Sequence, residues 1–272
     1  MSQIQAEWQV SPFANARRAA REGTSPAFDE ALARLQFLID HRRRLGVLLG
    51  PAGVGKSALL ARLAHQQRRA GAEVACVDLL GLSEQEFLWT LAARLKTPVG
   101  ASETRFKIWR AIGDRLLEHR CQDLHTVLLF DHADQSGSDV QTLVLRLVHA
   151  DPLPDAKLTV VLAAEPDRLQ RIDRRLLELC DLRIDLEPWS ETDTAEFIEQ
   201  SLMNASQPGD AFDSAAIARL HEFSGGVPRR VRQLADLAFL AGLGQQLSHV
   251  DAETIDCVQA ELSLAGALPA TM

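Results

Sequence analysis

The sequence predicts an α/β protein: a five-stranded parallel sheet with helices on both faces, followed by a small all-helical domain. Three observations carry this. From Phe28 to Glu187, apolar runs of strand length alternate with helical patterns, the order expected of a parallel sheet covered by helices. After "EPWS" (187–190), helix-opening residues follow one another and no strand run remains. Between the first strand run and the helix after it stands "GPAGVGKS", Gly50 to Ser57, which matches G-x-x-x-x-G-K-[ST] in full.

The strands in order are "GVLLG" (46–50), "EVACVDL" (73–79), "TVLLFD" (126–131), "LTVVLAA" (158–164) and "LRIDL" (182–186). Their continuous apolar character suits strands buried on both faces. The helix "KSALLARLAHQQRRAG" sets Leu59, Leu60 and Leu63 on one side and stops at Gly71, and "SEQEFLWTLAARL" opens with Ser83 and Glu86 spaced as a capping box. "DRLQRIDRRLLELCDLRIDL" (167–186) reads as one arginine-dense helix followed by the last strand. In the helical part, Ser190, Asp213 or Ser214, Pro228 and Asp251 each open a helix. The resulting organisation is an irregular segment 1–24, an α/β nucleotide-binding domain 25–188, a helical domain 189–265 and a tail 266–272.

A chain of 272 residues, 46% of them hydrophobic, can fill real cores. Its 29 basic and 37 acidic residues give a net charge of -8, which disfavours nonspecific attraction to nucleic acid or anionic membranes. Cys76, Cys121, Cys180 and Cys257 lie far apart with no C-x-x-C spacing, so they read as reduced, mostly buried thiols. No apolar run is long enough for a membrane span and the N-terminus lacks a secretory pattern, so the expected compartment is the cytoplasm.

In the glycine-rich loop, backbone N–H groups can turn inward around a phosphate while the dipole of the following helix adds positive potential. The expected nucleotide-binding positions are Gly50, Pro51, Ala52, Gly53, Val54, Gly55, Lys56, Ser57 and Ala58. Lys56 is expected at the β and γ phosphates, and the Ser57 hydroxyl on Mg²⁺. Asp131, at the end of "TVLLFD", is the second expected Mg²⁺ ligand, and ATP with Mg²⁺ is the expected cofactor set. Arg229 and Arg230 follow Pro228 in the first turn of a helix, where cations oppose the macrodipole unless an anion compensates; two solvated arginines at a frayed helix start are the alternative. Arg174, Arg175 and Arg183 are candidates to reach a neighbouring subunit's phosphate, although a surface helix with an Arg174–Glu178 pair explains much of that pattern.

The loop, the acidic strand end, the five-strand pattern and the Pro-Arg pair opening a late helix together resemble an AAA+ ATPase. Within that superfamily the chain resembles the ExeA/GspA type, the secretion-associated ATPases related to the transposition ATPases TniB and MuB. The resemblance rests on "SPF" (11–13), "FDEALARLQFLID", "LTVVLAAEPDRL", "LRIDLEPWSETDTAEFIEQSL" and "FSGGVPRRVRQLADLAFLAG" as well as the loop. It implies that the helical domain is a lid, that Arg229 senses the γ-phosphate from it, and that like subunits assemble into a ring or filament. The catalytic set it implies is Lys56, Asp131, His132 and Arg229.

Two positions depart from the family pattern. Asp131-His132 replaces the usual Asp-Glu, and Ala164-Glu165 ends a strand that normally ends in a neutral polar residue. His132 replaces the group that would deprotonate the attacking water, a role it fills only if neutral and correctly placed; a strand-end histidine packed on the next helix is the other reading. Asp134 and Glu165 are alternative carboxylates. The expected function is thus ATP binding with slow hydrolysis in a self-assembling module that acts on an unidentified protein partner, secretion or envelope related. The alternatives are an ATP-dependent DNA-associated regulator of the TniB/MuB type, for which "HRRR" (41–44) and "QQRRAG" (66–71) are the compact basic candidates, and a non-hydrolysing nucleotide-gated scaffold.

Overall fold

The computed structural model describes residues 11–13, 25–100, 103–151 and 157–267. Two compact units divide the chain: Pro26–Glu187, and Pro188 onward together with Ser11–Phe13. Of the stretch read as an irregular N-terminus, only 11–13 fall within the described residues. The last helix runs to Ala267, two residues into the stretch read as a tail, and 268–272 lie outside.

The first unit is the expected α/β fold. In chain order it holds α1 (Pro26–Asp40), β1 (Leu45–Leu49), α2 (Lys56–Arg69), β2 (Glu73–Asp78), α3 (Glu84–Arg94), α4 (Arg105–Cys121), β3 (Thr126–Asp131), α5 (Ser138–Val148), β4 (Leu158–Ala164), the short α6 (Arg174–Glu178) and β5 (Leu182–Asp185). All five strands are parallel, in the order β2-β3-β4-β1-β5. Alternate residues of β1 to β4 feed two cores, and β5 feeds one of them. Val47, Val77, Leu128, Phe130, Val160 and Leu162 meet α3, α4 and α5 on one face. Leu48, Val74, Val127, Leu129, Val161 and Ile184 meet α1 and α2 on the other. Every residue of β1 and β4 is buried, which is why both read as unbroken apolar runs, whereas edge strand β5 buries only Ile184 fully.

Local signals behave as their chemistry dictates. Leu59, Leu60 and Leu63 are the buried stripe of α2, and Gly71 takes a φ of 91° just past its end. Ser83 and Glu86 form the capping box of α3. One expectation fails: residues 167–178 are not a single helix. A 3₁₀ segment, Pro166–Arg171, breaks at Ile172, and Asp173 then caps the separate α6. The break is held from outside, because Gln141 on α5 donates to the Arg171 carbonyl (2.9 Å) and accepts from the Asp173 N–H (2.5 Å). The cysteines also differ from expectation. None is paired, but Cys121 and Cys257 are exposed, and Cys76 and Cys180 are only half-buried.

The second unit is helical: α7 (Glu191–Asn204), α8 (Ser214–Ser224), α9 (Pro228–Gly244) and α10 (Ala252–Ala267). Ser190 caps α7 in a box with Asp193, and Asp213 caps α8. Phe13 is 1% exposed in this core, with ring centroids 5.8 Å from Phe212, 6.1 Å from Phe239 and 6.2 Å from Phe197. An N-terminal aromatic thus completes a core built from residues nearly 200 positions later.

Candidate nucleotide-binding site

Strand β1 ends at the sheet position where neighbouring strands lead off in opposite directions, the crevice where open parallel sheets bind ligands. The loop Gly50–Gly55 leaves β1 there and opens α2. Gly50 is required by space, since a Cβ on it would lie 2.7 Å from both the Leu186 carbonyl oxygen and Val54 Cγ1. Gly55 is required by backbone, with a φ of 116° at the N-cap of α2 and no side chain capping that helix start. The first-turn N–H groups of α2 are therefore left for another acceptor.

Lys56 is 7% exposed, and its Nζ donates to the carbonyls of Gly50 (2.7 Å) and Pro51 (3.1 Å). A buried ammonium needs such acceptors, and the loop itself supplies them. From α2, the Ser57 hydroxyl donates to Asp131 Oδ2 at 2.5 Å, while the His132 N–H donates to Asp131 Oδ1 at 2.9 Å. The hydroxyl and carboxylate expected to share a cation thus meet from adjacent elements. This oxygen set suits Mg²⁺, which completes its shell with phosphate oxygens and water. Among the described residues, no cluster of three or more His, Cys, Asp and Glu side chains is arranged to hold a metal.

His132 sits in the left-handed region (φ 52°, ψ 42°), where histidine is among the better-tolerated non-glycine residues. Its Nδ1 lies 2.8 Å from Asp78 Oδ1, so it does not merely pack against the next helix. A carboxylate only accepts; Nδ1 therefore carries the proton, and in the neutral ring Nε2 is the basic nitrogen. Asp78 was not among the sequence candidates. It ends β2 directly opposite Asp131, and the same signal, a carboxylate closing an apolar strand, could have found it.

The two alternative carboxylates are engaged elsewhere. The Asp134 side chain is fully buried; its Oδ1 accepts from the Glu165 N–H at 3.4 Å. Its Oδ2 meets no hydrogen-bond donor and faces the Arg168 guanidinium at 3.8 Å. Glu165 in turn lies 3.4 Å from Arg168 Nε. Each candidate trans-acting arginine is exposed and pairs with a carboxylate of its own chain: Arg174 with Glu178 (2.8 Å), Arg175 with the half-buried helix cap Asp173 (2.6 Å) and Arg183 with Asp185 (2.8 Å). Arg229 and Arg230 are exposed in the first turn of α9, in the helical unit, behind the expected Pro228.

Residues 39–172 match the AAA domain family. Over 220 residues, 79% of its length, the chain is 26% identical to General secretion pathway protein A of Aeromonas hydrophila, and it spans 40% of that relative. Among solved structures it is similar to Cdc6p of Pyrobaculum aerophilum (TM-score 0.70, 16% identity, 95% of this chain and 74% of that one). It is also similar to the ORC1 protein of Aeropyrum pernix in complex with DNA (0.63, 16%, 97% and 72%). A third likeness is the RuvB Holliday junction branch migration motor of Thermotoga maritima (0.61, 14%, 90% and 73%). At such identities these structures show the fold alone, a five-stranded parallel sheet covered by helices and followed by further helices. No helix of the described residues is long and apolar enough to cross a membrane.

Proposed function

We propose that this chain is an ATP-binding AAA+ module of the ExeA/GspA type that assembles with itself, hydrolyses ATP slowly and acts on a secretion- or envelope-related partner complex. One observation carries the nucleotide half: the glycine loop, the Lys56 ammonium and the Ser57–Asp131 contact converge at the open end of β1. Lys56 exchanges the carbonyls of Gly50 and Pro51 for β and γ phosphate oxygens, and the N-terminus of α2 holds the anion. Ser57 and Asp131 hold Mg²⁺, which when bound neutralises the charge on the phosphates. Arg229 senses the γ-phosphate.

Slow hydrolysis follows from the residue after Asp131. An imidazole oriented by Asp78 occupies the position where a carboxylate is usual, and Asp134 and Glu165 both face Arg168. The partner class rests on the similarity to General secretion pathway protein A. Self-assembly rests on Arg174, Arg175 and Arg183, exposed arginines whose intrachain ion pairs are solvent-screened and weak enough to yield to a neighbouring phosphate. The reading is tested by ATP turnover and light scattering with and without Mg²⁺. Growth of the assembly on adding ATP, with turnover well below one per second, is expected; a mass indifferent to nucleotide at micromolar protein overturns the assembly half.

A DNA-associated role is the second reading. Its basic candidates are partly spent within the fold, Arg43 lying 4.0 Å from Asp181 and Arg68 donating to the Val74 carbonyl at 3.0 Å. Duplex affinity that falls steeply with salt would favour it.

A further inference from the structure

A second concave feature of the α/β unit belongs to none of the nucleotide machinery. Between α4 and the end of α5 lies a cleft of about 430 Å³, walled by Trp109, Ile112 and Leu116 from α4 and by Leu145 from α5, with Gly113 and Arg146 also in its lining. That volume falls within the range of sites that take a drug-sized ligand or a few side chains.

Two details separate this cleft from an incidental gap. The first is charge. Of the six lysines and arginines on α4 and α5, five have a carboxylate partner: Arg105 with Glu84, Lys107 with Glu103, Arg110 with Asp114, Arg115 with Glu118 and Arg120 with Asp151. Arg146 has none among the described residues; its guanidinium instead lies over the Trp109 ring, 4.1 Å from the centroid. Stacking uses the flat face and leaves the in-plane N–H fork available, the geometry that grips a carboxylate. The second is Gly113. Apart from proline, glycine is the poorest helix former, yet this one stands in mid-helix where a Cβ would meet nothing within 4 Å. No packing demand excludes a side chain there, and what its absence leaves open is the cleft that Gly113 lines.

We propose that this cleft is a docking groove for a peptide segment of a partner protein, one that presents a large apolar side chain to Trp109, Ile112, Leu116 and Leu145 and a neighbouring carboxylate to Arg146. The apolar wall takes the anchor and the stacked guanidinium selects for acid. The chain itself carries a net charge of -8, and Arg146 is the cation of α4 and α5 left without a carboxylate partner among the described residues.

The test is selection of phage-displayed random dodecapeptides on the full chain, with counter-selection on Gly113→Leu. Neither Gly113 nor Arg146 belongs to the nucleotide site, so ATP affinity serves as the control for folding, together with the melting temperature. Recovered peptides should combine Leu, Ile, Phe or Trp with a nearby Asp or Glu, and should shift the Trp109 indole and Gly113 amide resonances. A recovered peptide should bind Arg146→Gln at least tenfold more weakly. Its carboxamide version should lose a similar factor on the unmodified protein and little more on Arg146→Gln. No enrichment over Gly113→Leu, peptides without acidic residues, or equal binding of acid and amide versions would each overturn the proposal.

Discussion

Asp78 Oδ1 stands 2.8 Å from Nδ1 of His132 and joins the ends of β2 and β3 beside the proposed Mg²⁺ ligand Asp131. The contact fixes which imidazole nitrogen is basic, in the manner of any carboxylate that orients a histidine. Asp78→Asn keeps the side-chain shape but can present its amide N–H to the ring, which favours the other tautomer. We expect ATP turnover to fall about tenfold or more, within the range that general-base assistance contributes, while ATP affinity by calorimetry is nearly unchanged.

The same pair predicts how the family's usual residue would behave here. His132→Glu alone adds a third carboxylate beside Asp78 and Asp131 at the strand ends, and like charges so close resist joint ionisation. Glutamate also tolerates the left-handed backbone at this position less well than histidine. The single variant should therefore gain little, and Asp78→Asn with His132→Glu should hydrolyse ATP faster than either single change. Steady-state turnover of the three variants decides this; a double variant no faster than His132→Glu removes Asp78 from the argument.

Lys56→Ala should reduce ATP affinity at least a hundredfold, because the loop loses its only side-chain cation at the phosphates. Calorimetry at saturating Mg²⁺ measures it, and an unchanged affinity would be incompatible with the site assigned to Gly50–Ser57.

Arg229→Ala should leave ADP affinity nearly intact and weaken ATP several-fold, because the side chain is proposed to meet the γ-phosphate alone. Paired titrations with ADP and a non-hydrolysable ATP analogue read the difference. Equal losses for both nucleotides would make Arg229 structural.

Stability should fall as the solution is acidified below about pH 6.5, the ordinary histidine value. His119, whose Nδ1 lies 2.9 Å from Thr126 Oγ1, and His125, whose Nε2 lies 3.0 Å from Thr159 Oγ1, are both pushed below that value, chiefly because burial penalises the cation. The unfolded chain then binds more protons than the folded one from pH 6.5 downward, so stability is fully present above that pH and is lost toward the lowered folded values. Urea unfolding at pH 7.5 and 5.5 should show the drop, and His125→Gln should lessen it.

The central strands were legible in the sequence because a parallel sheet covered on both faces demands apolar runs, and β1 and β4 are buried throughout, with Thr159 the one polar side chain between them. The glycine loop was legible for a similar reason, since each glycine answers a local demand of space or backbone. What escaped depends on partners distant in sequence. The Asp78–His132 contact needs the register between β2 and β3, the break at Ile172–Asp173 is held by Gln141 from another helix, and Phe13 finds its three aromatic neighbours only in the folded helical unit. Local pattern carries no information about such meetings.

The strand order has a consequence for how the chain comes to life during synthesis. β1 has no hydrogen-bonded neighbour close to it in sequence: Leu45 pairs with Val160, and Gly46 with Leu182. While the ribosome delivers the first half of the chain, β2 and β3 can find one another, but the strand that launches the glycine loop stays without a partner on either edge. Only when β4 and β5 emerge does it become the second strand from the edge, and only then does Leu186 close over Gly50. Pairings this remote make folding slow and leave apolar strand surface uncovered in the interval. Assembly of the proposed nucleotide pocket is accordingly a late event in the α/β unit, because a nascent chain cut before residue 158 lacks both strands that flank β1.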